Sequence, residues 1–194
     1  MNRNLHVEQL NLNVGLRLFD HDVALSGYGP SMEMLKRGLR NGGNPDSIYC
    51  HQPEKSTALQ LWALKGHCEG VGLLLKCGAD TSIKDIHSRT ALEYACAALN
   101  WAWKRSYAEK AIRLLFNYGA TINSRSDLGN TPLMWAARAG NYTITNKLIE
   151  LGADPGLKDN DGNKALYFAK NPGYKGAYNG KNRKLTINLL SEIK

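Results

Sequence analysis

The segment Thr131-Pro132-Leu133-Met134-Trp135-Ala136 aligns without gaps with Thr57-Ala58-Leu59-Gln60-Leu61-Trp62, Thr90-Ala91-Leu92-Glu93-Tyr94-Ala95 and Lys164-Ala165-Leu166-Tyr167-Phe168-Ala169. The four starts are 33, 41 and 33 residues apart, so a period of 33 carries one insertion of eight. A second series holds the same phase: Gly78-Ala79-Asp80, Gly119-Ala120-Thr121 and Gly152-Ala153-Asp154 each lie twelve residues before the next Thr or Lys. Gly42-Gly43-Asn44 reads as the first member, with three extra residues before Thr57. A period of this length marks a stack of supersecondary units, each too small to bury its own apolar face.

Within one period the chemistry reads as helix, turn, helix, loop. Thr131 suits an N-cap and Pro132 the first helical position, where its missing N–H costs nothing. Ala136 and Ala137 let a second helix approach closely, and Gly140 ends the first helix. Tyr142 to Leu151 forms the second, with Ile144, Leu148 and Ile149 on one stripe, and Gly152 ends the pair. The polar run from Asp154 to Asn163, with Gly156 and Gly162, suits a protruding hairpin.

These residues resemble the ankyrin-repeat family. Its T-P-L-H-x-A signature is fullest at Thr131 to Ala136, and its G-H and G-A-D elements stand at Gly66-His67 and Gly78-Ala79-Asp80. The resemblance implies an all-α solenoid of stacked helix-turn-helix units with short connecting hairpins, covering residues 20–194. It divides into a degenerate repeat at about 20–50, repeats at 51–84, 85–125 and 126–158, and a C-terminal capping repeat at 159–194. Three positions depart from the pattern: Trp62 replaces a small residue, Lys164 replaces the Thr, and Ser88 stands at the hairpin glycine. Residues 1–19 fall outside the repeats. Leu10, Leu12, Val14, Leu16 and Leu18 alternate as in a strand, or else form an apolar cover for the first repeat.

The chain has 194 residues, 43% hydrophobic and 22% charged, enough for one globular domain with a sizeable core. Four cysteines, Cys50, Cys68, Cys77 and Cys96, are too few for a disulfide framework and read as free thiols of a reducing compartment. No signal-peptide block or long apolar run occurs, so the expected location is cytoplasmic, or outside the cell by an export route without a cleaved signal. The formal charge is +8. Residues 164–194 carry seven basic residues against Glu192, or +6, leaving +2 for the preceding 163. Basicity is therefore a C-terminal feature.

The third repeat has its eight extra residues between its two helices. The stretch from Ala95 to Phe116 lacks Gly and Pro, so the surplus is expected to lengthen helices. It carries Trp101, Trp103, Arg105 and Tyr107, and residues two apart do not share a helical face, so Trp101 and Trp103 do not both bury against one neighbour. The last repeat has the same surplus at the same point, read as a loop from Asn171 to Gly180 that includes Tyr174, Lys175 and Tyr178. Rising from one edge about 20 Å apart, the two insertions would form an aromatic, basic, two-pronged grip, unless their rings pack each other or the adjacent helix ends.

Family register implies partner contact at the hairpin tips and exposed inner-helix positions: Ile86, His87 and Arg89; Asp127, Leu128, Asn130 and Arg138; Asn160, Asp161 and Asn163. Lys175, Lys181, Arg183 and Lys184 are expected to steer an acidic protein surface. Catalytic signatures are missing. Gly176 to Asn182 is too short between its glycines for a phosphate loop and has Asn where Ser or Thr is needed. Cys68 and Cys77 lie too far apart along one helix to share a metal with His67. The expectation is a monomeric, non-enzymatic protein-interaction module, an adaptor, inhibitor or effector, with no cofactor, no metal and no membrane insertion. The alternative is a binder of an anionic partner, a nucleic acid or lipid head group, through the basic C-terminal segment, although no nucleic-acid-binding motif accompanies it. High Asn and Lys usage suits an AT-rich bacterial genome whose ankyrin proteins act on host targets.

Overall fold

The computed structural model describes residues 32–48, 55–101, 105–172 and 180–193. The N-terminal segment 1–19, Trp103, and Tyr174, Lys175 and Tyr178 of the second insertion lie outside them. Among the described residues there are nine helices: α1 (Met32–Arg40), α2 (Ala58–Lys65), α3 (Cys68–Lys76), α4 (Ala91–Ala98), α5 (Arg105–Asn117), α6 (Pro132–Ala139), α7 (Tyr142–Glu150), α8 (Ala165–Lys170) and α9 (Gly180–Glu192). The one extended pairing among them is an isolated antiparallel bridge between Ile48 and Thr57.

The repeated Thr starts each inner helix for the expected reason. Thr57 Oγ1 accepts from the Gln60 N–H at 3.3 Å while Gln60 Oε1 accepts from the Thr57 N–H at 2.7 Å, a reciprocal cap that satisfies two orphan donors. Glu93 does the same for Thr90 at 2.9 Å. Thr131 accepts from the Met134 N–H at 3.3 Å, with Pro132 at the first helical position. Lys164 has no side-chain oxygen with which to cap.

Helices α2, α4, α6 and α8 stack in one row, each packed on the next, and each leans on its own outer helix, α3, α5, α7 and α9. Outer helix α3 also packs on α5, and α7 on α9. Between the rows runs a continuous core in which Leu59, Leu92 and Leu133 of the inner helices meet Leu74, Leu115 and Leu148 of the outer ones, all essentially inaccessible. Burying one such leucine stabilises the fold by about 1.5–3 kcal/mol. Asn141 couples neighbouring outer helices: its Oδ1 caps α7 by accepting from the Ile144 N–H at 3.0 Å, and its Nδ2 donates to Glu109 of α5 at 2.7 Å.

Trp62, out of place by the family pattern, is buried, because the facing helix makes room. A Cβ on Gly70 of α3 would collide with the Trp62 ring, so the missing side chain at 70 is the space the indole fills. His67 meets the ring edge-on, with centroids 5.2 Å apart.

Each surplus of eight residues is split. Helices α5 and α9 have 13 residues where α3 and α7 have 9, so about one turn of each insertion extends the outer helix. The remainder lies in the connections. Helix α9 starts at Gly180, a residue that sequence alone assigned to the loop.

Candidate interaction surface

Three hairpins project from the stack and close alike. The Asp85 N–H donates to Arg89 O at 3.1 Å, Ser126 to Asn130 at 3.1 Å, and Asp159 to Asn163 at 3.0 Å. Successive tips are tied into one string. The Asp127 N–H donates to His87 O at 2.9 Å, the Asn160 N–H to Leu128 O at 3.0 Å, and Asn160 Nδ2 to Asp127 O at 2.7 Å. Ser88 adopts the left-handed φ of 59° that Gly129 and Gly162 take at the same point, and its Oγ donates to Asp127 Oδ1. Thus Ser88 exchanges backbone ease, about 1 kcal/mol, for a tie to the next tip. Ile86, His87, Asp127, Leu128, Asn160 and Asp161 are exposed along this string, the apolar Leu128 at 69%. Asn130 and Asn163 are half-buried, and Asn163 Nδ2 donates to Asp159 at 3.2 Å.

Arg89 is occupied within the fold. Its Nε donates to the buried Asp85 Oδ2 at 2.8 Å and its Nη2 to the Tyr94 hydroxyl at 2.6 Å, with the guanidinium 4.6 Å from the Tyr94 ring centroid. The Tyr94 hydroxyl donates to Asp85 Oδ2 at 2.7 Å, and Ser56 approaches it at 3.1 Å. Burial disfavours the Asp85 carboxylate, but hydrogen bonds from the Arg89 side chain, Tyr94 and the Arg89 N–H outweigh it and hold the pKa below its ordinary value. Burial pushes the Tyr94 hydroxyl up.

Four residues after the cap, the inner helices carry Leu61, Tyr94, Trp135 and Phe168, a row crossing the repeats in which Leu61, Tyr94 and Phe168 are buried and Trp135 is half-buried. Arg138 of α6 lies over two of these rings, 5.3 Å from the Trp135 centroid and 4.8 Å from the Phe168 centroid. Sequence reasoning singled out Arg138 but not the rings it lies over, Trp135 and Phe168. The signal was present in their shared repeat position, but the same position holds Leu61 in α2, so it also read as core.

The insertions are represented by Trp101, Arg105 and Tyr107: Trp101 and Tyr107 are exposed and Arg105 is half-buried at the start of α5. On α9, Lys181 and Lys184 are exposed. Arg183 is turned inward, its Nη1 donating to Ala169 O at 2.7 Å and its Nη2 to Arg138 O at 3.0 Å, and burial lowers its pKa. It closes the carboxyl ends of α8 and α6, where helix dipoles favour a cation. An added Cβ on Gly140 would come within 3.2 Å of this guanidinium. Among the described residues no three His, Cys, Asp or Glu side chains gather to hold a metal ion, and no helix is long and apolar enough to cross a membrane.

A solenoid of helix-turn-helix units whose successive hairpin tips are hydrogen-bonded into one string defines a repeat-type interaction scaffold. Comparison with known proteins agrees. The family model for ankyrin repeats, in three copies, matches residues 99–177. An ankyrin repeat protein of fowlpox virus is 30% identical over 137 residues, 71% of this chain and 17% of that protein. The zebrafish neurogenic locus notch homolog protein 1 is 32% identical over 141 residues, 72% of this chain and 5% of that one. A mouse ankyrin repeat and SOCS box protein is 31% identical over 111 residues, 57% of this chain and 24% of its own length. The chain is an ankyrin-repeat protein. It spans at most about a quarter of the length of these relatives. Ankyrin repeats generally mediate protein–protein interaction and are typically non-enzymatic.

Proposed function

We propose that this chain is a non-enzymatic adaptor, inhibitor or effector that holds a protein target across the hairpin tips and the accessible edge of the aromatic row at Trp135 and Arg138. The observation that carries the reading is Arg138, half-exposed and held over the Trp135 and Phe168 rings, in a fold whose hairpin tips also expose the apolar Ile86 and Leu128. Aromatic rings and arginine dominate interface energetics, and an arginine held over two rings is already ordered before it binds. Its charge fits a target that brings a carboxylate to the centre of the contact. Trp101 and Tyr107 at the first insertion supply a further aromatic edge. Charge steering from α9 rests on Lys181 and Lys184, since Arg183 is engaged internally. That reduction also weakens the anionic-partner alternative. The unpaired thiols of Cys68, Cys77 and Cys96 support a reducing, cytoplasmic setting.

The test compares capture of a target by wild type, by Arg138→Glu and Leu128→Asp, and by Lys76→Glu on outer helix α3. The expected result is one target retained by wild type and Lys76→Glu and lost by both tip and inner-helix variants, all with unchanged unfolding midpoints. Retention by Arg138→Glu and Leu128→Asp, with loss on Lys76→Glu, would move the interface to the outer helices.

A further inference from the structure

The side chains along the string of tips follow a pattern. Ile86 is 50% exposed and Leu128 69%. Leu128 stands three residues before Thr131, and on the next hairpin the same register holds the exposed Asp161, three before Lys164. On the preceding hairpin it holds His87, with Ile86 beside it. From one end of the string to the other the tips are therefore aliphatic, aliphatic, then anionic. Helices of successive units stack about 10 Å apart, which sets the step from tip to tip.

The hydrogen bonds of the string decide what form of partner it accepts. A segment that joins as a strand needs free N–H and C=O groups along the edge it pairs with. Here the N–H groups of His87, Ser88, Asp127, Gly129, Asn160 and Asp161 all donate within the fold, to Asp85 Oδ1, Asp85 O, His87 O, Ser126 O, Leu128 O and Asp159 Oδ1 respectively. An added strand would set its carbonyls against donors already engaged. A helix satisfies its backbone internally and asks only for side-chain contact. Seven of its residues rise about 10.5 Å, one step of the string. Residues seven apart share a helical stripe, so one stripe of one helix meets three consecutive tips.

We propose that the target presents an amphipathic helix laid along the string, with aliphatic side chains at i and i+7 against Ile86 and Leu128 and a Lys or Arg at i+14 against Asp161. The proposal rests on the reading that the hairpin tips hold the target, and it adds the chemistry of the segment held. Burial of the two aliphatic tips drives the contact. Asp161 sets the direction, because a reversed helix would place its cation over Ile86 and an aliphatic side chain over the Asp161 carboxylate.

Selection of displayed random peptides of about 20 residues on the 194-residue chain tests this. The peptides expected carry two aliphatic residues seven apart and a Lys or Arg seven beyond, and they gain helical circular dichroism when the chain is added. Moving either aliphatic residue by one position, or placing Pro between them, should weaken binding at least about tenfold. Ile86→Asp and Leu128→Asp should do the same with unchanged unfolding midpoints. Asp161→Lys should weaken binding, and Glu in place of the peptide's cation should restore it. Peptides lost on Leu128→Asp and Arg138→Glu that bind without helix, or without the seven-residue spacing, overturn the helix and leave the tips as the target surface. Peptides indifferent to both variants overturn both readings. Enrichment of no peptide overturns the helix alone, since capture of a folded target tests the tips separately.

Discussion

Two residues at one repeat position, Gln60 and Glu93, do the same capping with different outcomes. Gln60 uses its remaining amide N–H groups to donate to Ile83 O and Arg89 O of the next hairpin, at 2.9 and 3.0 Å. Glu93 has no proton to give. Its Oε2 accepts from Thr90 and Ser124, but its buried Oε1 has no partner, and burial raises the carboxyl pKa above its ordinary 4.5. The sign follows: as pH climbs from 4.5 the unfolded chain releases this proton before the folded one, so Glu93 makes stability fall as pH rises towards its raised value. Glu93→Gln should abolish that fall and stabilise the protein at neutral pH by about 1 kcal/mol, by placing an amide where Gln60 has one. Urea midpoints across mildly acid to neutral pH measure both effects. A second residue pair shows why part of the core was hidden in the sequence. Trp62 was legible as a departure, but its reason, Gly70, sits on a different helix and shows only once the two pack. Gly70→Ala should cost about 1–3 kcal/mol by overpacking. Its cost should shrink in a Trp62→Leu background, a non-additivity that a double-mutant cycle in urea reads directly.

Among the elements, the inner helices were the most legible, because cap, proline and apolar spacing all sit inside eight residues and act locally. The insertions were half legible. The absence of Gly and Pro before Phe116 correctly pointed to a longer helix, whereas the glycines before Lys181 concealed that α9 already begins at Gly180 and gains the same turn as α5. Arg183 was misleading for a related reason: in a basic run every cation looks solvated, and only the fold shows which one meets two helix ends. Replacing Arg183 with Ala should destabilise the protein by about 1.5–3 kcal/mol, the range for hydrogen bonds to a charged group. Lys at 183 should recover little, since one ammonium on a flexible stem lacks the planar fork that reaches Ala169 O and Arg138 O together. Thermal unfolding gives the magnitude. Amide exchange should show the loss concentrated at the ends of α6 and α8 and leave α2 unchanged.

Across the whole molecule, periodicity was legible because stacking repeats it, while the surfaces were not, because exposure depends on which unit comes next. Leu166 and Leu133 read alike in sequence, yet one is sealed and the other half-open. Charge illustrates the same point. The formal +8 is concentrated in residues 164–194, which on composition alone admits a nucleic-acid partner. In the fold, Arg183 is removed from that set, Glu192 shares a stripe with Lys181, and of the aromatic row only Trp135 is partly exposed, Tyr94 and Phe168 being buried, so the row offers no run of rings on which bases could stack. Binding to random duplex DNA should therefore fall steeply with salt, with a log–log slope of about −0.9 for each phosphate neutralised, and should vanish at physiological ionic strength. A protein target held at the tips and the aromatic row should behave differently. Added salt, or Lys184→Gln, should slow its association while leaving dissociation nearly unchanged, because rim charges steer the encounter and Arg138, Trp135 and Leu128 hold the complex. Stopped-flow association and dissociation rates at low and physiological salt, measured beside oligonucleotide titrations, decide between the two. Duplex binding that survives physiological salt and is lost when Lys181 and Lys184 become Gln would assign the basic end to nucleic acid.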